Sequence, residues 1–329
     1  MTQLGLTAVD AFARRHRLRA LELLPWVLAV AAYFAFPDYL ALGAQVLATV
    51  LFGLSADLVL GYAGIVTLGH AAFFGMGAYT AGYLAAHGLG SPLIGLVAAA
   101  AMGAAIGVLS GFVILRTQGL SILMLTLVVC VMLQEAANKM TSITGGADGL
   151  QGMQVGRVLG LFSFDIYGRT AYWYCLVVLF GGWLVARALV HAPFGRSLTG
   201  IRENVTRMHA IGSPVFRRLL TIYTISAAMA GVAGALIAET TGLVALNVLS
   251  VDQSGYILVM IILGGVGRLY GAFIGVPLYM IAQDRFSEID PVYWYFWIGL
   301  LLVLVVAFAR GGVLGLADAV IRRVNKRRR

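Results

Sequence analysis

The sequence predicts an all-α protein: a polytopic transmembrane helical bundle with about 8 full spans plus a broken or re-entrant helix pair. Three observations predict it. The 329 residues are 60% hydrophobic and only 11% charged, where soluble domains carry roughly 25% charged residues. From Leu58 to Arg116 there is no Asp, Glu, Lys or Arg before that arginine, and about 20 apolar residues suffice for one helical crossing. The apolar runs are continuous rather than alternating, which excludes a membrane β-barrel.

Taken in order, apolar segments lie at about 21–36, 40–60, 64–87, 92–115, 119–137, 171–190, 218–238, 255–267, 270–283 and 292–309. Breaks fall at Phe36-Pro37-Asp38, Gly61-Tyr62-Ala63-Gly64, Gly90-Ser91-Pro92 and Arg116-Thr117-Gln118-Gly119, each rich in residues that interrupt helices. The first apolar run follows about twenty residues and opens a series of spans, so no cleavable signal is evident. Cys130 and Cys175 sit inside apolar runs without metal-ligand spacing and are expected to be core residues. The chain reads as a single transmembrane domain over 1–329.

Charge placement orients the bundle. Arg14, Arg15, Arg17 and Arg19 precede the first run, and Arg322, Arg323, Lys326, Arg327, Arg328 and Arg329 end a basic tail at 319–329. With five arginines between His191 and Arg218, these places hold 15 of the 23 basic residues. Clusters beside spans are a topology signal, predicting both termini and the 191–218 island in the cytoplasm. They also suit anionic lipid, and the net charge of +9 is therefore not read as nucleic-acid binding. If 255–283 were one span, the tail would finish outside. Splitting it at Gly264-Gly265-Val266-Gly267-Arg268 restores the parity. Halves of about 13 residues are too short for a bilayer of roughly 30 Å, and such irregular backbone needs protein or a water-filled cavity around it.

The connection 138–170 is predicted outside. Its Thr144-Gly145-Gly146-Ala147-Asp148-Gly149 is turn-rich, and at 33 residues it is either a plain loop or a docking surface. Three small-residue ridges recur at helical spacing: Gly103, Gly107 and Gly111; Gly267, Gly271 and Gly275; Ala227, Gly231 and Ala235. Such ridges let helices approach closely, in bundle packing, a subunit contact or a pore lining.

Catalytic chemistry finds little purchase. No nucleophile–base pair, HExxH, paired intramembrane aspartates or P-loop is present. His70, inside an apolar segment, either hydrogen-bonds a neighbouring helix or belongs to a translocation path. Asp57, Glu135, Glu239, Asp252 and Asp284 fall near segment ends, as interfacial residues do. A secondary carrier binding sodium through backbone carbonyls remains an alternative.

Within the island, Phe194, Leu198, Ile201, Val205 and Met208 recur at steps of four, three, four and three. The spacing predicts one amphipathic helix with an apolar stripe. Glu203 stands four residues before Arg207, a favourable helical pairing, and Gly212-Ser213-Pro214 supplies the stop. Pattern alone leaves a lipid surface and a protein partner equally open.

Four ordered blocks decide between them. Gly61 to Thr80 is the first; Pro193-Phe194-Gly195-Arg196 with Ile201-Arg202-Glu203-Asn204 and Ala210-Ile211-Gly212 is the second. Leu263-Gly264-Gly265-Val266-Gly267 with Gly271 is the third, and Arg310-Gly311-Gly312-Val313-Leu314-Gly315-Leu316 the fourth. Over about 45–318 the chain resembles the LivM-type permeases of bacterial ABC importers for branched-chain amino acids. The resemblance implies a bacterial inner-membrane protein without cofactor or enzymatic activity of its own. ATP-Mg would be bound by two separate ABC ATPase subunits. Its further partners would be a LivH-type second permease and a periplasmic substrate-binding protein. It implies that the island is a coupling helix, with Phe194, Gly195, Arg202, Glu203, Asn204, Arg207, Ala210 and Gly212 in ATPase coupling. It places the path at the broken segments, through Gly64, Gly69, His70, Gly75, Gly77, Gly264, Gly265 and Gly267. Alternating access would be driven by ATP, and related permeases for urea or short amides are the alternative. Where the family commonly has an acidic, alanine-rich run, this chain reads Val205-Thr206-Arg207-Met208-His209.

Overall fold

The structure, a computed structural model, describes residues 20–158, 160, 162–165, 167–308 and 312–315. The basic clusters at 14–19 and 322–329 lie outside the described residues. Among the described residues all secondary structure is helical apart from two isolated bridges, as the continuous apolar runs predict.

Helix α1 spans Ala20–Ala35 and α2 Leu40–Asp57, whose last turn widens into a π-helical stretch over Leu58–Tyr62. After an irregular stretch, α3 spans His70–Ala86, α4 Pro92–Ile114 and α5 Leu120–Lys139. Helix α6 covers Arg169–His191. The island folds as α7, Pro193–Glu203, and α8, Val205–Ala210. Helix α9 spans Val215–Thr241, α10 Val251–Gly264, α11 Gly271–Ile289 and α12 Trp294–Phe308.

Among the described residues, five helical stretches are long and apolar enough to cross a membrane: Pro37–Tyr62, Pro92–Ile114, Leu120–Lys139, Arg169–His191 and Val215–Thr241. The polytopic helical bundle that the sequence predicts is thereby present. Glycines and the π turn break the first family block, so the segment read at 64–87 becomes helical only at His70 and has 17 residues. The split at Gly264–Arg268 is present: α10 and α11 pack as a hairpin across it. Its halves are unequal, 14 and 19 residues, because α11 continues through Asp284, Arg285 and Glu288 to Ile289. At about 1.5 Å per residue, α10 falls short of a bilayer core while α11 nearly reaches across it.

Helix α9 is the axis of the bundle, packing on α4, α3 and α2. Its contacts are the predicted ridges. A Cβ on Gly103 would run into the Ala227 carbonyl, one on Gly107 would crowd the Ala227 methyl at 2.6 Å, and Gly111 faces the Tyr223 ring. Gly77 of α3 lies directly on the backbone of Gly231, and Gly231 in turn on the carbonyl of Ala99. Two of the three ridges are thus internal packing surfaces. The third is cut: Gly267 sits in the turn before α11, and only Gly271 and Gly275 are helical.

Peripheral elements are attached differently. Helix α1 rests through Trp26, whose ring lies 5.0 Å from Phe180, 5.5 Å from Trp183 and 5.3 Å from Phe273. Tyr172 adds a hydrogen bond from its hydroxyl to the Ala29 carbonyl, 2.7 Å. Helix α5 buries only Thr126, Cys130 and Ala137. Both cysteines are buried and free.

Loop contacts define two ends of the bundle. Leu150 pairs with Val244 in an antiparallel bridge, Gly156 N–H donates to the Gly90 carbonyl, and Gly168 lies against Ala41. The connection 138–170 therefore closes over the loops at 87–91 and 242–250. At the opposite end lie the π turn, the island and the α10–α11 turn.

Replacing Gly231 by Leu is expected to lower stability by at least about 1–3 kcal/mol through overpacking. Gly181, with open space at its Cβ position, should accept Ala within about 0.5 kcal/mol. Thermal unfolding in detergent measures both, and equal midpoints would contradict the ridge packing.

Candidate functional site

The island is two helices, not the single one its spacing predicts. Pro193 starts α7 with a preset backbone angle, and Gly195 lets that turn lie on the Leu189 and Val190 carbonyls at the end of α6. Asn204 then leaves the helix, at φ −159° and ψ 100°, and its side chain accepts a 2.8 Å hydrogen bond from Arg207 N–H. An asparagine that caps the following helix satisfies one of that helix's free N–H groups; here it outweighs the apolar periodicity. The stripe is broken as a result. Leu198 and Ile201 are 1% exposed, while Val205 is 39% exposed. Glu203 and Arg207 fall on different helices, so their predicted four-residue register is lost.

The fold-back is secured by Met208, whose sulfur lies against the Gly200 position. Gly212, at φ 76°, ends α8 as expected, and Ser213 N–H donates to the Met208 carbonyl. Phe194 is partly buried against the core. Glu203, Asn204, Arg207, Ala210 and Gly212 are exposed around the tip.

Arg202, also exposed, reaches back to the bundle. Its Nη1 donates to the Gly61 carbonyl at the π turn of α2. Gly64, at φ 74°, leaves the room that the Arg202 methylene chain occupies. Gly267, at φ 73°, sits beside the same guanidinium, with 3.1 Å between its Cβ position and Arg202 Nη1. Its N–H donates to Asp57 Oδ1 at 2.8 Å. Asp57 is 1% exposed, and its Oδ2 has no hydrogen-bond partner. Gly265, at φ 120°, and Gly264 complete the turn, and Gly312 of the fourth block packs onto both. Of the eight predicted path residues, Gly64 and Gly267 meet the island at Arg202, and Gly264 and Gly265 lie in the same turn as Gly267.

The remaining four lie deeper. Gly69 precedes α3 and lies against the Thr126 carbonyl. His70 is 1% exposed and its Nε2 is 3.1 Å from Ser55 Oγ and 3.3 Å from Ser226 Oγ. Each serine has one hydroxyl proton, and both are already given to backbone carbonyls, of Phe52 and Ser55 respectively. Nε2 therefore carries the ring proton and shares it between the two serine oxygens. His70 Nδ1 has no hydrogen-bond partner. His70, Thr67 and Ser254 also line a cavity of about 10 Å³, the least that one water needs. Gly75 is packed on Leu249 and Gly77 on Gly231, so both seal the bundle in this conformation.

Asp57, Ser55, Ser226 and Ser254 escaped the sequence reading. Asp57 looked interfacial because it ends an apolar run; only the turn 210 residues later in the chain reveals its partner. The larger cavity, about 590 Å³, is apolar and opens between α1, α2 and α11, away from this site.

The chain is 29% identical over 335 residues to the high-affinity branched-chain amino acid transport system permease protein LivM of Salmonella typhimurium, covering 94% of this chain and 77% of that one. The same protein of Escherichia coli is 28% identical over the same shares. A probable branched-chain amino acid transport permease protein LivM of Methanocaldococcus jannaschii is 26% identical over 180 residues, 50% of this chain and 52% of the relative. No solved structure matches. The family described as branched-chain amino acid transport system / permease component matches residues 39–307, a range that takes in the π turn, the island and the α10–α11 turn. On that match the chain is a multi-pass transport permease and belongs to this family.

Proposed function

We propose that the chain is the membrane-spanning subunit of an ATP-driven importer, passing branched-chain amino acids by alternating access. The observation that carries this reading is the island. It is anchored by buried Leu198 and Ile201, yet presents an exposed tip from Glu203 to Gly212. A stand-alone carrier has no need of such a tip. In this reading the tip docks on an ABC ATPase subunit that binds ATP-Mg, and the chain itself hydrolyses nothing. Glu203, Asn204, Arg207, Ala210 and Gly212 meet the ATPase, while Phe194, Gly195 and Arg202 hold the tip to the bundle.

The partners are two ATPase subunits, a LivH-type permease and a periplasmic binding protein. That last protein touches the bundle end closed by 138–170. The protein lies in the bacterial inner membrane as one domain over 1–329, with the island and both termini cytoplasmic, following the basic clusters. The path runs past His70, which changes partners as the bundle opens. Its apolar surroundings, Phe52 and Phe73 among them, suit an aliphatic side chain.

Making the tip acidic, with Arg207→Glu and Ala210→Glu together, is expected to cut ATPase co-purification about tenfold or more. Undiminished association with normal leucine uptake would remove the docking assignment. His70→Leu is expected to leave ATPase association intact while lowering leucine uptake at least about tenfold, since two buried hydroxyls lose their donor. Unchanged uptake would take His70 off the path.

A further inference from the structure

We propose that Arg202 and Asp57 form a strut that transmits motion of the island to both broken segments. Arg202 would then be a positioning residue rather than a contact of the ATPase surface. The inference rests on the importer reading above.

The geometry points inward. The Arg202 guanidinium is spent on the Gly61 carbonyl, a group at the π turn whose own helical partner is displaced by that widening. Its methylene chain fills the space left by Gly64, where both a side chain and its backbone angle would be unfavourable. The second link begins one turn earlier. Asp57 holds Gly267 N–H at 2.8 Å, so the end of α2 grips the turn between α10 and α11. Gly61 sits between the two links: a Cβ there would strike Asp57 Oδ1 and the Gly267 backbone together. Displacement of α7 therefore reaches Gly61 through a hydrogen bond and Gly267 through backbone contact. The unpartnered Asp57 Oδ2 lies within this cluster, offering a second acceptor onto which the guanidinium can re-pair when α7 shifts. A strut with two acceptors has two discrete settings, which is what coupling between sites requires.

The test is the coupling ratio, leucine transported per ATP hydrolysed, in the assembled complex reconstituted in proteoliposomes. Arg202→Gln is expected to co-purify with the ATPase at the wild-type level and to keep hydrolysing ATP, while the ratio falls about tenfold. Arg202→Lys keeps a donor for Gly61 and should recover part of the loss. Asp57→Leu should lower the ratio as Arg202→Gln does, and Asp57→Asn, which retains an acceptor for Gly267, should lower it less. The double variant Arg202→Gln with Asp57→Leu should be no worse than the poorer single one, as expected for one shared element. Thermal midpoints separate misfolding from uncoupling, and Arg202→Lys serves if Asp57→Leu fails to fold. Loss of ATPase association in Arg202→Gln would make Arg202 a docking residue and overturn the strut. An unchanged ratio would overturn it too. Failure of the wild-type complex to bind an ATPase would instead remove the importer reading, and the strut with it.

Discussion

The requirement that backbone polar groups be satisfied inside hydrocarbon governs this molecule. Where helices are intact they satisfy themselves, and the bundle is free to pack backbone against backbone through glycine and alanine along α9. Where they are broken, at 61–69 and 265–270, the freed groups must find partners elsewhere in the protein. The structure supplies them individually: Arg202 for the Gly61 carbonyl, Asp57 for Gly267 N–H, and Thr126 and Ser254 hydroxyls for Leu68 and Ala71 N–H. The island, π turn and α10–α11 turn converge because the hydrogen bonds of the broken segments cannot be local.

This division separates a rigid part from a movable one. A glycine ridge fixes the register of two helices over many contacts at once, as Gly103, Gly107 and Gly111 do on α9. A side-chain hydrogen bond to a displaced carbonyl is a single contact and can be exchanged for another. The Ser55–His70–Ser226 cluster is of the second kind, and so is the joint at Gly61. Motion confined to exchangeable contacts leaves the ridge-packed axis undisturbed.

Fold class, the split before Arg268 and the stop at Gly212 were legible because composition and glycine placement act locally. Span lengths were less so, since hydropathy does not register that Gly61 to Gly69 is apolar yet non-helical. The island's kink was legible only in part. Asn204 is a strong capping residue, but the apolar steps on either side of it favoured continuity, and the spacing rule gave no weight to the cap. Arg202 shows a harder limit. On a helical wheel it belongs to the polar face, and its inward role exists only because Gly64 and Gly267, far apart in sequence, leave space for it. Asp57 is the same case from the other side: its burial is a property of the assembled bundle and of nothing in its neighbourhood.

The manner in which α1 is attached has a consequence of its own. Rings stacked edge to face around Trp26 tolerate sliding and rotation that interlocked glycines do not. Helix α1 is thus the element able to change tilt when the surrounding bilayer is thinner or thicker than its apolar length, relieving hydrophobic mismatch at the periphery. A permease built this way can sit in membranes of different thickness while its glycine-packed axis stays the same.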